Sequence, residues 1–275
     1  MPIGTLQNVT DSYLEFLQQQ LPTCNTSTIS IFLSGDPFVQ QLAKSALQNA
    51  NVQVLAHNDN HLADFSITFG ADGEQLHLYD ETGALVSEER LSILLSFLLL
   101  EYYGKDCSLV LPTNQPYVHE WLTRQYGASL TRAGIAPQDM MERLSHHAIR
   151  QYADAQLSMR YDAIYFVLYL AAWLQKSNTS LSKLLQSIPH PSIAEEDLYC
   201  ATHLKGHVMR KLTEENAAGI YESADGIQIA TEKGWIFILP DASRPVVHMT
   251  AEGCNEEFAK ELLADFQQKI NGYLQ

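Results

Sequence analysis

Short apolar runs alternate with stretches of helical periodicity from the N-terminal end of the chain onward. Tyr13, Leu14, Phe16 and Leu17 give one apolar face, predicting a helix that stops near Pro22. Ile29 to Leu33 is β-branched and aromatic, which predicts a strand, and Ser34-Gly35-Asp36-Pro37 reads as a turn that starts a helix. Val39, Leu42, Ala43, Ala46 and Leu47 then recur at helical spacing. Val52 to Leu55, Phe65 to Phe69 and Leu76 to Tyr79 predict three further strands, the last closed by the turn Asp80-Glu81-Thr82-Gly83. Leu91, Leu94, Leu95 and Leu98 carry a helix to Gly104. Strands separated by helices imply an α/β layer with mixed or parallel pairing.

The alternation then restarts. Ser108 to Leu111 reads as strand, Tyr117 to Tyr126 as helix, Ala128 to Thr131 as strand and Pro137 to Arg150 as helix. A long apolar helix follows Asp162 and carries Ile164, Val167, Leu168, Leu170, Ala171 and Leu174. Beyond Pro189 and Pro191 the character changes. Asp197 to Thr213 is predicted helical, ended by Asn216-Ala217-Ala218-Gly219. Strands at Ile227 to Ala230 and Trp235 to Leu239 flank the turn Glu232-Lys233-Gly234, followed by a strand at Val246 to Thr250 and an amphipathic helix from Glu256 to Ile270. The expected fold class is therefore α/β: two layered α/β domains, 1–104 and 105–193, then a small α+β domain, 194–275.

Charge narrows the range of partners. The 275 residues hold 17 basic against 32 acidic side chains, a formal net charge of −15, with no basic block. Such a surface repels nucleic acid and anionic lipid, whose phosphates need clustered Lys and Arg. Cys24, Cys107, Cys200 and Cys254 are scattered singly, without the paired spacing of a zinc or redox site. His203 and His207, like His57 and His61, stand four apart, but neither pair has a Glu after its first His or a third ligand nearby. Met1-Pro2-Ile3-Gly4-Thr5 is not a leader peptide, and the longest apolar stretch, Leu91 to Leu100, is about half a bilayer span. The expectation is a cytoplasmic protein with no membrane contact. No dinucleotide-binding or Walker glycine pattern and no nucleophile elbow occurs.

Several strings, in order, carry a resemblance. Asp64-Phe65-Ser66-Ile67-Thr68-Phe69-Gly70-Ala71-Asp72-Gly73-Glu74-Gln75-Leu76 precedes the turn Tyr79-Asp80-Glu81-Thr82-Gly83-Ala84-Leu85. Tyr161-Asp162-Ala163-Ile164 opens the apolar helix. Asp225-Gly226-Ile227-Gln228-Ile229 is followed by Gly234-Trp235-Ile236-Phe237-Ile238-Leu239-Pro240-Asp241-Ala242-Ser243-Arg244-Pro245. This series resembles the α-D-phosphohexomutases (phosphoglucomutase, phosphomannomutase and phosphoglucosamine mutase) across the second, third and fourth of their four domains. The resemblance implies a metal loop (Asp-x-Asp-x-Asp-Arg) at 70–75 and a phosphate loop (Arg-Pro-Ser-Gly-Thr-Glu-Pro) at 239–245. It also implies a sugar-reading loop (Gly-Glu-x-Ser-Gly-His) before Asp162.

Departures from that pattern are as informative as the matches. Gly70, Asp72 and Glu74 stand where the family has three aspartates, and Gln75 replaces its arginine. Mg²⁺ needs hard oxygens in a near-octahedral shell, so Asp72 and Glu74 imply at most weak Mg²⁺ binding and no resident cofactor. In the phosphate loop Leu239 replaces the arginine, Asp241 the serine and Ala242 the glycine, while Ser243 is conservative and Arg244 is new. A carboxylate about 4 Å from a phosphate repels it by roughly 4 kcal/mol per unit charge at an effective dielectric near 20. Tyr152-Ala153-Asp154-Ala155-Gln156-Leu157-Ser158 occupies the place of the sugar-reading loop. Ser145-His146-His147 is only superficially similar to the family's phosphoserine loop, Thr-Ala-Ser-His-Asn-Pro, because it lies on a predicted helix. The family's first domain, which bears that loop, has no counterpart here.

These departures imply a catalytically degenerate mutase-like protein with no catalytic residues, a vestigial phosphate loop at Asp241, Ser243 and Arg244, and a vestigial metal loop at Asp72 and Glu74. The resemblance further implies a protein partner of the sugar nucleotidyltransferase kind, a mannose-1-phosphate type pyrophosphorylase. Two alternatives accompany it: a divergent phosphohexomutase using a phosphoserine domain from another chain, and a sugar-phosphate sensor.

Overall fold

The computed structural model describes residues 9–20, 28–48, 50, 52–56, 62–145, 150–216, 220–222, 226–232 and 234–274. Cys24, the pair His57 and His61, His146-His147, Ala217 to Gly219, Asp225 and Lys233 lie outside the described residues.

In chain order the first elements are α1 (Val9–Gln20), β1 (Ile29–Gly35), α2 (Pro37–Gln48), β2 (Val52–Val54), β3 (Phe65–Phe69), β4 (Leu76–Asp80) and α3 (Glu88–Tyr103). Then come β5 (Ser108–Pro112), α4 (Val118–Tyr126), β6 (Ser129–Ala133), α5 (Pro137–Ser145), α6 (Arg150–Tyr161), α7 (Ala163–Ser177) and α8 (Leu181–Ser187). The last are β7 (Ser192–Tyr199), α9 (Thr202–Glu215), β8 (Ile220–Glu222), β9 (Ile227–Thr231), β10 (Gly234–Pro240), β11 (Val246–Gly253) and α10 (Glu256–Tyr273). This is the mixed α/β class. It forms two compact units, 1–104 with 151–189, and 105–150 with 190–275.

The first unit is built on a sheet of order β2-β1-β3-β4, in which β1 runs parallel to β2 and β3 while β4 returns antiparallel. Alternation along β1 buries Ile29, Ile31 and Leu33. Its end is tight: Gly35 has φ +94°, and a Cβ there would sit 2.1 Å from the Phe69 carbonyl oxygen. Asp36 then caps α2, its Oδ1 accepting from the N–H groups of Phe38 (2.9 Å) and Val39 (3.0 Å), with Pro37 at the first helical position. Helix α7 is buried on nearly every side and packs against β1, α2 and α3, as expected of a helix that is apolar all round. Asp162 caps it through the Tyr165 N–H (3.0 Å), and the Tyr13 hydroxyl reaches both Asp162 oxygens at 2.8 Å. The hydroxyl chain Tyr165 to Tyr169 to the Gln20 carbonyl (2.9 Å each) ties α7 to the end of α1.

The second unit joins the parallel pair β5-β6 to an antiparallel sheet of order β7-β11-β10-β9-β8. Ile236, Ile238, Val247, Met249 and Ala251 point to the face covered by α10, where they meet Val208 and Leu212 of α9. Residues at odd positions of β10 point the other way, and of these Trp235 and Phe237 are buried as well. Arg132 on β6 holds the segment after β5. Its guanidinium grips Glu120 with two hydrogen bonds (2.9 and 2.8 Å) and donates to the carbonyls of Pro112, Gln115 and Pro116. That places the Tyr117 N–H 2.8 Å from Glu252, which also accepts from the Trp235 indole.

One expectation needs correcting. The helix predicted from Asp197 starts only at Thr202, and 192–199 is instead strand β7. The run Glu195-Glu196-Asp197 looks like an acidic first helical turn. Pairing from Ser192↔Gly253 to Tyr199↔Val246 overrides that local signal, and charged side chains suit a strand at the edge of a sheet.

Candidate functional site

The resemblance directs attention to three segments: the turn 70–75, the stretch 152–158 and the loop 239–245. Within the first unit, the turn is a tight link from β3 to β4, with the Gly70 N–H donating to the Gln75 carbonyl at 2.8 Å and Gly73 at φ +74°. Asp72 serves this turn. Its Oδ1 accepts from the N–H groups of Glu74 (3.0 Å) and Gln75 (3.2 Å), an Asx turn whose backbone donors, Gln75 first, hold the carboxyl below its ordinary pKa. The Gly73 carbonyl in turn accepts from the Ala163 N–H (3.0 Å) at the start of α7. The turn therefore has a structural task that its sequence keeps.

Mg²⁺ is the ion that the resemblance implies for this turn. Gly70 brings no side-chain ligand, one Asp72 oxygen is committed to two N–H groups, and Glu74 alone is left to complete the set. That donor set falls short of a near-octahedral oxygen shell, so the residues present do not fit a resident Mg²⁺. Among the described residues, no three His, Cys, Asp or Glu side chains gather as metal ligands.

Residues 152–158 belong to α6, a regular helix from Arg150 to Tyr161. Ala153, Ala155, Gln156 and Met159 are buried, and Tyr152 packs edge-on against Tyr103 at 4.7 Å. A helix spends most of its backbone N–H and C=O groups on itself, leaving only those at its ends free to meet a sugar ring.

The loop after β10 is the most elaborate polar cluster among the described residues, and Asp241 is its centre. Asp241 Oδ1 accepts from the Ser243 N–H (2.8 Å), the Ser243 hydroxyl (3.0 Å) and the Arg244 N–H (2.7 Å). Its Oδ2 accepts from Arg244 Nε (2.9 Å) and faces His248 Nε2 at 2.9 Å. These donors, the Arg244 and Ser243 N–H groups first and His248 after them, hold the Asp241 carboxyl far below the usual carboxylate range. The other ring nitrogen of His248 lies 2.5 Å from Asp197 Oδ1, across the β7–β11 pair. Lys205, buried on α9, donates to the carbonyls of Asp241 and Arg244. Asp241, Ser243 and Arg244 thus meet in one loop, and Leu239 adds no charge.

Asp197, Lys205 and His248 were not singled out in the sequence. The register of β11 with β7 puts Asp197 opposite His248, and Lys205 reaches the loop from α9, pairings that no single segment of the sequence displays. The remaining candidates stand apart. His207 Nδ1 accepts from Arg210 (3.2 Å), a cation beside a would-be metal ligand, and Ser145 Oγ is spent on the Glu142 carbonyl at 2.6 Å. Cys107 and Cys200 are buried, Cys254 is exposed, and burial raises the Cys107 thiol to about 12. No described helix is long and apolar enough to cross a membrane.

The cluster has a pH signature. Desolvation opposes protonation of His248, but its hydrogen bonds to Asp197 and Asp241 outweigh that and raise its pKa above the ordinary 6.5. A raised folded value means that the stabilisation is complete below the ordinary value and is lost as pH rises through the folded one. Asp241 works the other way: its contribution is complete above 3.8 and is lost as pH falls toward its depressed value. The loop is therefore held most firmly between these limits. The His248 ring proton, followed by NMR, should titrate above 6.5 in the native protein and at a lower pH in Asp197→Asn; an unshifted midpoint in both would contradict the geometry.

Comparison with known proteins shows what the chain is similar to. No family model matches the chain. It is 22% identical over 260 residues to a probable phosphoglucosamine mutase of Pyrococcus horikoshii, covering 89% of this chain and 56% of that protein. It is 23% identical over 216 residues to the phosphoglucosamine mutase of Methanocaldococcus jannaschii, covering 74% and 47%. The chain thus spans about half the length of the curated relatives that it matches. Among solved structures, a phosphoglucomutase/phosphomannomutase family protein from Burkholderia thailandensis superposes with a TM-score of 0.76 at 14% identity, covering 96% of this chain and 64% of that one. An Aspergillus fumigatus N-acetylphosphoglucosamine mutase, solved with GlcNAc-6P and magnesium, gives a TM-score of 0.64 at 10% identity, with coverage of 96% and 64%. In sequence the chain is similar to these phosphoglucosamine mutases, and in fold to these phosphohexomutase structures.

Proposed function

We propose that this chain is a non-catalytic phosphohexomutase-like module that acts through protein contact in carbohydrate metabolism, with a sugar-nucleotide pyrophosphorylase of the mannose-1-phosphate type as its partner. In this reading 1–104, 105–193 and 194–275 correspond to the family's second, third and fourth domains, whatever their packing. The observation that carries it is α6: a packed helix occupies the place that the resemblance assigns to the sugar-reading loop. Gly70, Gln75 and Leu239 point the same way, because each removes a charged ligand from the positions that would hold metal or phosphate.

The names of the curated relatives favour one competitor, a divergent mutase that borrows a phosphoserine domain from another chain. A turnover assay separates the two. The purified chain, given glucose 1-phosphate, mannose 1-phosphate or glucosamine 1-phosphate with Mg²⁺ and a bisphosphate activator, should form no product above the blank. Turnover that disappears in Asp72→Ala would replace the module reading by the mutase one. The partner is tested by mixing the chain with a purified mannose-1-phosphate type pyrophosphorylase. Co-elution at micromolar concentration is expected, and separate elution would remove that enzyme as the partner.

A further inference from the structure

We propose that the open edge of β7 is a docking site for an extended, lysine- or arginine-rich segment of a partner protein, which adds to the sheet as a further strand. This concerns where a protein segment is held, and it stands whichever enzyme the chain serves. β7 ends its sheet, with β11 on one side and no described strand on the other. Just beyond it the Cys200 N–H donates to the Pro245 carbonyl (2.8 Å), and hydrogen-bonded pairs recur at every second residue of an antiparallel ladder. Ala194, Glu196 and Leu198 therefore bond to β11, while the N–H and C=O groups of Ile193, Glu195, Asp197 and Tyr199 point outward. None of these outward groups meets a partner among the described residues. The ladder runs from Ser192 to Tyr199 without proline or bulge, so the outward row can template another strand.

Charge decides what can sit there. Glu195, Glu196 and Asp197 are all exposed. Asp197 is engaged by His248 and Arg244. Among the described residues, Glu195 meets the Thr250 hydroxyl (3.3 Å) and Glu196 the Gln267 amide (2.9 Å), and neither partner is a cation. Gln267 also brings one flank of α10 alongside this edge, in the same helical stripe as Lys260 and Ala264. The open groove on that flank sets Glu256, Glu257 and Glu261 against one cation, Lys260, which pairs with Glu256 at 2.6 Å. Glu195 and Glu196 point to opposite faces of the sheet, so a guest strand with basic side chains on both of its faces meets both. A second copy of this chain is turned away, because β7 against β7 would set one acidic run on another, and each chain carries −15. Tyr199, 67% exposed at the end of the strand, gives apolar surface for a residue of the guest.

The test adds to the full chain a capped peptide, Val-Lys-Val-Lys-Lys-Val-Lys-Val, matched to the 8 residues of β7, with its glutamate-for-lysine counterpart as control. Amide hydrogen exchange followed by NMR reads the site, and the melting temperature reports folding. The lysine peptide should bind saturably and slow exchange at Ile193, Glu195, Asp197 and Tyr199 while leaving Ala194, Glu196 and Leu198 as they were. The glutamate peptide should do neither. Glu195→Lys combined with Glu196→Lys should weaken binding by roughly tenfold, since two attractive pairs become repulsive. Glu195→Gln with Glu196→Gln should fall between, and it decides the matter if the reversed chain does not fold. No saturable binding at millimolar peptide, protection that does not alternate along β7, or affinity indifferent to both pairs of substitutions would overturn the proposal. So would protection of the outward amides that grows with protein concentration and no peptide present, which would make the occupant a second copy.

Discussion

Replacing Arg132 by alanine is expected to cost about 2–4 kcal/mol, as the side chain is partly shielded and its loss orphans several groups at once. Arg132 is 13% exposed and its partner Glu120 27%, so the pair falls between a surface salt bridge and a buried one. The larger consequence lies in the three carbonyls, Pro112, Gln115 and Pro116, that the guanidinium gathers around the end of β5. Without it, this segment loses the device that presents the Tyr117 N–H to Glu252. Lysine should rescue little. It keeps the charge but lacks the planar fork, and three carbonyls with a bidentate carboxylate exceed its three donors. Urea unfolding of wild type, Arg132→Ala and Arg132→Lys would measure this. A lysine variant as stable as wild type would show that charge, not geometry, is what β6 supplies.

Little in the sequence marks Arg132. It sits in Ser129-Leu130-Thr131-Arg132-Ala133, a short strand with one ordinary basic residue, and its partners come from another element. Periodicity, by contrast, exposes elements whose burial repeats. The alternation Ile29, Ile31, Leu33 and the continuous apolar run after Asp162 both survive in the structure, because one sheet face and one enclosed helix dictate them. β7 escaped for the opposite reason. Only one of its residues is buried, so its acidic residues answer to the ladder with β11 and to nothing that a single segment can display.

The candidate site is legible to the same depth. The resemblance implies that Asp241 stands in the place of a phosphate donor, but the sequence does not show where the carboxylate turns. In the structure it turns inward onto Ser243 and Arg244, as Asp72 turns onto Glu74 and Gln75 and Asp80 onto Thr82 and Ala84. Each of these loops closes on its own aspartate. An Asx turn satisfies backbone donors without help from a ligand, so such a loop stays ordered when nothing is bound. That gives a physical reason for a mutase-like scaffold to stay ordered with altered ligand loops.

Glu252 offers the sharpest contrast between two substitutions at one position. The residue is 9% exposed, and its carboxylate accepts from the Tyr117 N–H and the Trp235 indole, the latter on a fully buried ring. Glu252→Ala leaves both donors without this partner, an expected cost of about 2–6 kcal/mol at 1–3 per orphaned buried group. Glu252→Gln should behave differently. Burial raises the pKa of Glu252 above the ordinary 4.5, against the lowering effect of those two donors. A raised value means that the folded protein holds the proton more tightly than the unfolded chain. The residue's stabilisation is then complete below 4.5 and is lost as pH rises through the folded value, so at neutral pH the buried charge is a cost. The glutamine carbonyl can accept both hydrogen bonds without that cost. Thermal melts at neutral pH should place Glu252→Gln level with wild type or above it and Glu252→Ala well below. Between pH 4.5 and neutrality, Glu252→Gln should also lose part of the wild-type gain in stability on acidification. A glutamine variant as damaged as the alanine one would mean that the ionised carboxylate itself holds the Tyr117 segment against the sheet.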